Sequence, residues 1–195
     1  MQKLLNKISG IPKGYFSLMD IRKIAELKEG TLKVVLSRLV KGGKIIKLGQ
    51  KFYAIDLQKV DWEKFSVEVY APSYLSVEYV LSMRGILSQQ VQHLTLATSN
   101  RTKTIETPEA DIIYHHLNEK LFWGYANHEG VLIAEPEKAF LDLAYLSLNG
   151  YARFDPEEMN LNLLNKDKVK EYLKKFKSKK LVSLLLRNPL TAKLV

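Results

Sequence analysis

The sequence contains no cysteine among its 195 residues. Disulfide scaffolds, zinc ribbons, iron–sulfur clusters and thiol catalysis are therefore excluded. Long apolar runs are also missing, because no segment approaches the roughly 18 residues that a membrane helix needs. The polar residues that follow Leu4 and Leu5 are unlike the apolar core of a signal peptide. These absences predict a cytoplasmic protein with no membrane partner.

Acidic residues are scarce in the first 54 positions. This segment contains twelve lysines and arginines but three acidic residues, which gives a net charge of +9, the same as that of the whole chain. Residues 55–165 carry −8 and residues 166–195 carry +8. A basic block of domain size is typical of a surface that neutralises nucleic-acid phosphates. A solvated basic face that keeps the protein soluble is the alternative interpretation.

Apolar spacing predicts two helices in this basic block. Ser17 precedes an apolar series and has Asp20 three residues later, a capping box that opens a helix through about Leu27. Segment 29–31 is predicted to form a turn with the N-cap of a second helix, which ends at Gly42-Gly43. Two short helices joined by such a turn are typical of a helix-turn-helix. The predicted inner face of the second helix consists of Leu32, Val35, Leu36 and Leu39.

A hairpin is predicted directly after Gly43, where the apolar period changes from that of a helix to that of a strand. Segments 44–48 and 51–55 fit two strands, and Gly49-Gln50 fits a type II′ turn between them. Residues 3–8 fit an additional first helix. The order of three helices and a hairpin predicts a winged helix-turn-helix DNA-binding domain over residues 1–56.

The predicted DNA-binding surface combines the outer face of the second helix of the motif with the hairpin. Arg38 is suited to a bidentate contact with a guanine edge, and a phosphate contact fits it equally well. The alternative is that the leucines pack a small helical domain whose lysines are only solvated. The predicted contact residues are Thr31, Lys33, Ser37, Arg38, Lys41, Lys47, Gln50 and Lys51.

A connector between Asp56 and Pro72 is predicted to lead into a second domain, residues 66–195, with a lysine-rich helical C-terminal tail. The tail fits a solvated helix face, a second phosphate-contacting surface or a docking face for an acidic partner. The fold class of the whole chain is therefore predicted to be α+β, a winged helix followed by a mixed α/β domain. Strands are predicted over 91–98, 102–107, 111–116 and 131–134. Helices are predicted over 75–81, from Pro136, from 155–158 and around Val169, Tyr172, Leu173 and Phe176.

Catalysis is not predicted for this chain. It has no Walker loop and no Gly-x-Gly-x-x-Gly motif. Asp111, His115 and His116 are of metal-ligand type, but adjacent histidines on a strand point to opposite faces. We therefore expect no enzyme activity, no metal and no cofactor. The polar segment 99–103 fits either an anion site or a turn between two strands, and the turn is the favoured interpretation.

Five segments in a fixed order carry a family resemblance. The hairpin near 51–55 is followed by PSYLSVEYVLSMRGIL from Pro72, LTLATSNRTKTIET from Leu94, IIYHHL from Ile112 and IAEPEKAFLDLAYL from Ile133. With these segments, residues 15–150 resemble the AbiEi-type antitoxins of type IV toxin–antitoxin systems.

The resemblance implies a function with two parts. The winged helix would bind double-stranded DNA at inverted repeats in the promoter of its own operon and repress transcription. The second domain would counter a nucleotidyltransferase toxin encoded alongside it, without a stable complex between the two proteins. The alternative is a stand-alone winged-helix transcriptional regulator whose second domain senses a ligand or a partner.

Overall fold

The computed structural model describes residues 2–25, 28–49 and 51–195, and its mixture of helices and strands confirms the α+β class. The chain divides into two compact units. The N-terminal unit comprises Met1–Phe65 with Thr107–Glu109, and the C-terminal unit comprises Ser66–Glu106 with Ala110–Val195. Within the described ranges, none of the helices has both the length and the apolar character needed to cross a membrane.

The N-terminal unit combines helices with a small antiparallel sheet. Its central strand is β3, which has β1 on one side and β2 on the other. Tyr53 of β3 lies opposite Phe16 of β1 and Lys47 of β2. In chain order the elements are α1 (Gln2–Ser9), β1 (Tyr15–Ser17), α2 (Leu18–Ile24), α3 (Glu29–Lys41), β2 (Ile46–Lys47) and β3 (Phe52–Ala54).

One apolar cluster forms the core of this unit. Each helix contributes residues three or four positions apart, which lie on the same side of a helix and form one buried stripe. The strand residue Phe16 packs among these stripes. The cluster consists of Leu4, Ile8, Phe16, Ile21, Ala25, Leu32, Leu36, Leu39 and Ile45.

The start of α2 confirms the predicted capping box. The side-chain oxygen of Ser17 accepts a hydrogen bond from the backbone N–H of Asp20 at 3.1 Å. In return, the carboxylate of Asp20 accepts one from the backbone N–H of Ser17 at 2.8 Å. The helix ends earlier than predicted, at Ile24, and the predicted end at Leu27 lies outside the described residues.

The start of α3 differs from the prediction. The helix begins at Glu29 rather than after a turn at 29–31, and its N-cap residue, Lys28, makes no side-chain capping bond. Glycine at position 30 suggests a turn, but glycine inside a helix costs only about 1 kcal/mol relative to alanine. Burial of the three leucines on the inner face offsets that cost.

Strands in the N-terminal unit are shorter than predicted, and one was not predicted. The segments 44–48 and 51–55 contribute only two and three residues to the sheet as β2 and β3. In β1, Tyr15 and Phe16 are both buried, so the strand lacks the alternation that identifies a half-buried strand from sequence. Gln50, in the predicted turn, lies outside the described residues.

The predicted connector between Asp56 and Pro72 contains regular structure. A 3₁₀ turn spans Leu57–Lys59, and α4 spans Trp62–Val69. The carboxylate of Asp61 accepts a hydrogen bond from the backbone N–H of Lys64 at 2.9 Å, which caps the start of α4. The predicted connector is therefore largely helical.

The C-terminal unit is built on a six-stranded mixed sheet with the order β6-β7-β5-β4-β9-β8. Strands β4/β9 and β5/β7 are parallel, and the other neighbours are antiparallel. The strands are β4 (Ser73–Leu75), β5 (Leu94–Thr98), β6 (Lys103–Ile105), β7 (Ile112–His116), β8 (Tyr125–His128) and β9 (Val131–Ala134). The helices are α5 (Val77–Met83), α6 (Pro136–Ser147), α7 (Lys166–Phe176), α8 (Lys179–Arg187) and α9 (Pro189–Ala192).

Helix α6 is the central helix of this unit and is buried along nearly its whole length. It packs on α5, α7 and α8. Its start confirms the prediction, since Pro136 occupies the first turn, where its missing N–H is not needed. The predicted apolar face of α7 is also confirmed, because Val169, Tyr172, Leu173 and Phe176 are all buried.

Four predicted strands are confirmed in the C-terminal unit, as β5, β6, β7 and β9, while β4 and β8 were not predicted. Leu75 was expected in a helix, but it lies in β4. The prediction was wrong because all three β4 residues are buried, and a short buried run does not distinguish a strand from a helix. The helix expected from 155–158 is a single 3₁₀ turn, Pro156–Glu158. The next α-helix, α7, begins at Lys166 and is capped by the side chain of Asn165.

Candidate functional site

Five of the predicted contact residues lie together on one face of α3. Each is exposed, and with 3.6 residues per turn all five fall on the half of the helix that faces away from the buried leucines. Arg38 and Lys41 form no ion pair with another described residue. The five residues are Thr31, Lys33, Ser37, Arg38 and Lys41.

Val34 lies in the middle of this face, and the sequence analysis did not include it among the contact residues. Its side chain is 50% exposed. Its neighbours on the helix surface are Ser37 and Arg38, three and four residues later. Val34 is not part of the apolar cluster, and its position within the helix identifies it as part of the outer face.

The hairpin contributes further basic side chains to the surface of the N-terminal unit. Lys47 in β2 and Lys51 directly before β3 are both exposed. The backbone of Lys51 is held in place because its carbonyl accepts a hydrogen bond from the backbone N–H of Leu18 at 3.1 Å. Gln50, the remaining predicted contact residue, lies outside the described residues.

Among positions 1–54, the structure describes the side chain of one acidic residue, Asp20. A nearby lysine compensates the negative charge of this side chain. The ammonium group of Lys13 lies 3.4 Å from its carboxylate. Burial tends to raise the pKa of Asp20, but the hydrogen bonds from Ser17 and the charge of Lys13 together lower it below its ordinary value. This carboxylate therefore adds little negative potential to the basic surface.

The C-terminal unit contains a buried ionic network that sequence analysis missed. Lys138 and Asp142, one turn apart on α6, form an ion pair, and both side chains are fully buried. The Lys138 ammonium also donates a hydrogen bond to the Tyr74 hydroxyl at 2.8 Å. Asp142 accepts hydrogen bonds from the hydroxyls of Tyr74 at 3.0 Å and Ser76 at 2.9 Å. The network joins β4 and the residue after it to α6.

Burial raises the pKa of Asp142 and lowers that of Lys138, and the attraction between the two charges opposes both shifts. Because neither side chain reaches the surface, this pair does not meet a ligand in solution. The only sequence signal for it is the i, i+4 spacing of a lysine and an aspartate on an otherwise apolar helix.

The histidines considered as metal ligands do not form a metal site in the described part of the chain, where no group of three or more potential ligand residues is close enough together. His115 is half-buried. Burial lowers its pKa, and the nearby His93 lowers it further. His116 is exposed, and its Nδ1 lies 2.7 Å from the backbone carbonyl oxygen of Asn100.

Comparison with known proteins identifies a related fold. No protein-family model and no curated protein matches the sequence. Among solved structures, the chain is similar to the crystal structure of the RV2827C protein from Mycobacterium tuberculosis, with a TM-score of 0.60 and 10% sequence identity. The similarity covers 99% of this chain and 78% of that chain. At this identity, the comparison bears on the fold alone.

Proposed function

We propose that the N-terminal unit is a winged helix-turn-helix that binds double-stranded DNA. The observation that carries the proposal is the outer face of α3, where Lys33, Arg38 and Lys41 are exposed together on the side opposite the core. In this proposal α3 would serve as the recognition helix and the β2–β3 hairpin as the wing. The order α1, β1, α2, α3, β2, β3 is consistent with this assignment.

The residue types on this surface suggest a division of roles. Lys41, Lys47 and Lys51 would contact phosphates, which fix the position of the protein but carry no sequence information. Arg38 can contact a guanine edge with two hydrogen bonds, and Val34 can contact a thymine methyl group. Specificity would therefore depend on Arg38 and Val34, and general affinity on the lysines.

Binding of the full chain to its own promoter tests this assignment. We expect affinity to fall steeply as salt rises, because lysines that meet phosphates release counterions. Lys47→Ala combined with Lys51→Ala should weaken binding to promoter and random duplexes alike. Arg38→Ala should also reduce the preference for the promoter, by about 1–3 kcal/mol if the contact is bidentate.

Arg84→Ala is a matched control, since Arg84 is an exposed arginine of the C-terminal unit. It should change neither affinity nor preference. Binding that does not depend on salt would contradict the proposed surface, and so would an Arg38→Ala variant that behaves like Arg84→Ala.

We further propose that the chain is an antitoxin that represses its own operon and counters a nucleotidyltransferase toxin through the C-terminal unit. The resemblance to AbiEi-type antitoxins supports this proposal. Its four segments after the hairpin correspond to β4 with α5, β5 with β6, β7, and β9 with α6. They are adjacent parts of one sheet and its central helix, so the resemblance follows the core of a single unit.

Co-expression with the neighbouring nucleotidyltransferase tests the antitoxin role. We expect the full chain to relieve growth arrest, and the Lys47→Ala, Lys51→Ala double variant to relieve it equally although it binds the promoter more weakly. Failure of the unmodified chain to relieve the arrest, or the absence of such a neighbouring gene, would contradict the antitoxin assignment.

A regulator that senses a ligand is the second candidate, and a cavity in the C-terminal unit favours it. This cavity has a volume of about 390 Å³, and its walls include Glu78, His93 and Arg153. Burial raises the pKa of Glu78. For such a regulator, the chain would not relieve toxin arrest, and promoter binding would change when a small molecule is added.

A further inference from the structure

A second cavity in the C-terminal unit is lined by residues that suit an anion. It opens to solvent, and its volume is about 270 Å³. It is lined by Arg101, Thr102, His116 and Tyr151. None of these four residues carries a carboxylate.

The segment that leads into β6 lies beside the end of β7. In the antiparallel pair β6/β7, Lys103 lies opposite Tyr114 and Thr104 lies opposite Ile113. Strand β6 begins at Lys103, and before it residues 100 and 102 are joined to His116 by hydrogen bonds, from the backbone N–H of His116 to the Thr102 hydroxyl and between His116 Nδ1 and the Asn100 carbonyl. The sequence segment 99–103, interpreted above as a turn or an anion site, therefore meets His116 at the end of β7.

The segment that carries Arg101 is held rigidly although it is exposed. The hydroxyl of Tyr70 donates a hydrogen bond to the carbonyl of Arg101 at 3.1 Å. The side-chain amide of Asn100 donates to the carbonyl of Ala71 at 3.0 Å, and its backbone N–H donates to the hydroxyl of Thr98 at 3.1 Å. A loop that is fixed before binding loses little conformational entropy when a ligand arrives.

Hydrogen bonding also determines what the lining residues offer to a ligand. The carbonyl of Asn100 only accepts, so Nδ1 of His116 carries the proton of their 2.7 Å hydrogen bond. Nε2 is then the acceptor of the neutral ring, suited to the O–H of a monoanionic phosphate monoester. The hydroxyl oxygen of Thr102 accepts from the backbone N–H of His116 at 3.2 Å, so its own proton can be donated. The guanidinium of Arg101 forms no ion pair with a described residue and matches the geometry of a phosphate.

An aromatic ring completes the cavity. Tyr151 is 62% exposed, unusually open for so large a side chain, and it forms part of the wall. Exposed aromatic rings beside cationic groups are the usual platform on which nucleic-acid bases stack. Lys103, whose ammonium lies 4.8 Å from the ring centroid of Tyr70, adds positive charge on the face that carries Arg101.

We propose that this cavity binds a nucleotide through its phosphate monoester. Arg101, Thr102 and His116 hold the phosphate, and the ring of Tyr151 stacks on the base. The site belongs to the C-terminal unit and does not depend on DNA binding by α3. The same chemical group occurs on a free mononucleotide and at the 5′ end of a nucleic-acid strand.

Calorimetric titration of the full chain tests the proposal, with adenosine 5′-monophosphate, adenosine and inorganic phosphate as separate probes. Adenosine 5′-monophosphate should bind more tightly than adenosine or inorganic phosphate. Arg101→Ala should raise its Kd about tenfold or more, since a charge-assisted bidentate contact is lost. Tyr151→Ala should raise it about tenfold, whereas Tyr151→Phe, which keeps the ring, should not.

Arg84→Ala is again the matched control and should leave the Kd unchanged. A 5′-phosphorylated tetranucleotide compared with its 5′-hydroxyl form distinguishes the two sources of the ligand, and preferential binding of either phosphorylated probe supports the site. The proposal is overturned if the monophosphate binds no more tightly than adenosine and the two tetranucleotides also bind equally, or if Arg101→Ala and Arg84→Ala have the same Kd.

Discussion

Lys138 lies within an ionic network and beside aromatic rings in the C-terminal unit. Its ammonium is fully buried against Asp142, and it lies 5.0 Å from the ring centroid of Trp123 and 5.2 Å from that of Phe176. Removing one member of a buried ion pair leaves the other charge without compensation. The stability of this unit therefore depends on both charges together.

Replacing Lys138 should be far more costly than replacing both charges. We expect Lys138→Met to lower the free energy of unfolding by about 3–5 kcal/mol, because Asp142 is left as an isolated buried charge. Adding Asp142→Asn should recover at least half of the loss, since the amide oxygen still accepts hydrogen bonds from Tyr74 and Ser76. Urea denaturation of the three proteins measures both quantities. A double variant no more stable than Lys138→Met would show that the two residues do not act as a pair.

Asp20 should make the stability of the N-terminal unit depend on pH. The pKa of Asp20 is lowered in the folded protein. The ionised side chain therefore stabilises the folded state fully above pH 3.8, the ordinary pKa, and this stabilisation is lost as the pH falls through the lowered pKa. At neutral pH, Asp20→Ala should cost about 0.5–1 kcal/mol, as expected for an acid in the first turn of a helix. The difference between the two proteins should shrink between about pH 5 and pH 2 in acid titrations of stability. A constant difference would contradict the assigned role.

At the scale of elements, α3 shows how a helix tolerates a glycine. Gly30 lies in its first turn, and a Cβ added there meets no atom within 4 Å. Gly14 is the opposite case, because its φ is +72° and an added Cβ would lie 1.8 Å from the carbonyl oxygen of Lys59. The two glycines therefore have different physical roles in one unit.

Alanine substitution should separate these two roles. Gly30→Ala should stabilise the protein by about 0.5–1 kcal/mol, since the residue is already helical and alanine restricts the unfolded chain. Gly14→Ala should destabilise it by more than that amount, because the backbone near Lys59 must move. Thermal unfolding of each variant provides the measurement. A destabilised Gly30→Ala variant would mean that α3 does not begin at Glu29.

Elements with a strong apolar period were predictable from the sequence, and short ones were not. The capping box at Ser17 and the apolar face of α7 depend on local spacing, which sequence contains. Strands β1 and β4 have three residues each, and their identity depends on partners distant in the chain. The i, i+4 spacing of Lys138 and Asp142 did not reveal their hydroxyl partners, because Tyr74 and Ser76 come from 64 to 68 residues earlier in the chain.

At the scale of the molecule, each unit contains one of the two tryptophans of the chain. Trp62 lies in the N-terminal unit beside Phe65, and Trp123 lies in the C-terminal unit beside Tyr172. Each unit has its own apolar core, so we expect them to unfold in separate steps. Trp62→Phe and Trp123→Phe variants should then give fluorescence transitions with different midpoints. Coincident midpoints would show a single cooperative unit.

The contact residues proposed on α3 could be predicted from the sequence, whereas the cavity at Arg101 could not. The basic excess in residues 1–54 and the period of α3 were sufficient to select Lys33, Arg38 and Lys41, all of which the structure leaves exposed. The cavity at Arg101 was not predictable as a whole, because its members come from β7, the loop before β6 and a loop after α6. Only the three-dimensional arrangement brings Tyr151 to His116.

The two faces of α3 have a consequence for how such a protein can evolve. Its leucines maintain the fold, while the side chains at positions 33, 34, 37, 38 and 41 contribute little to the core. If these positions read DNA, mutations can change the preferred sequence without a loss of stability that selection would remove. Operator and protein can then diverge together. Two copies of the same regulator within one genome would no longer bind each other's operators.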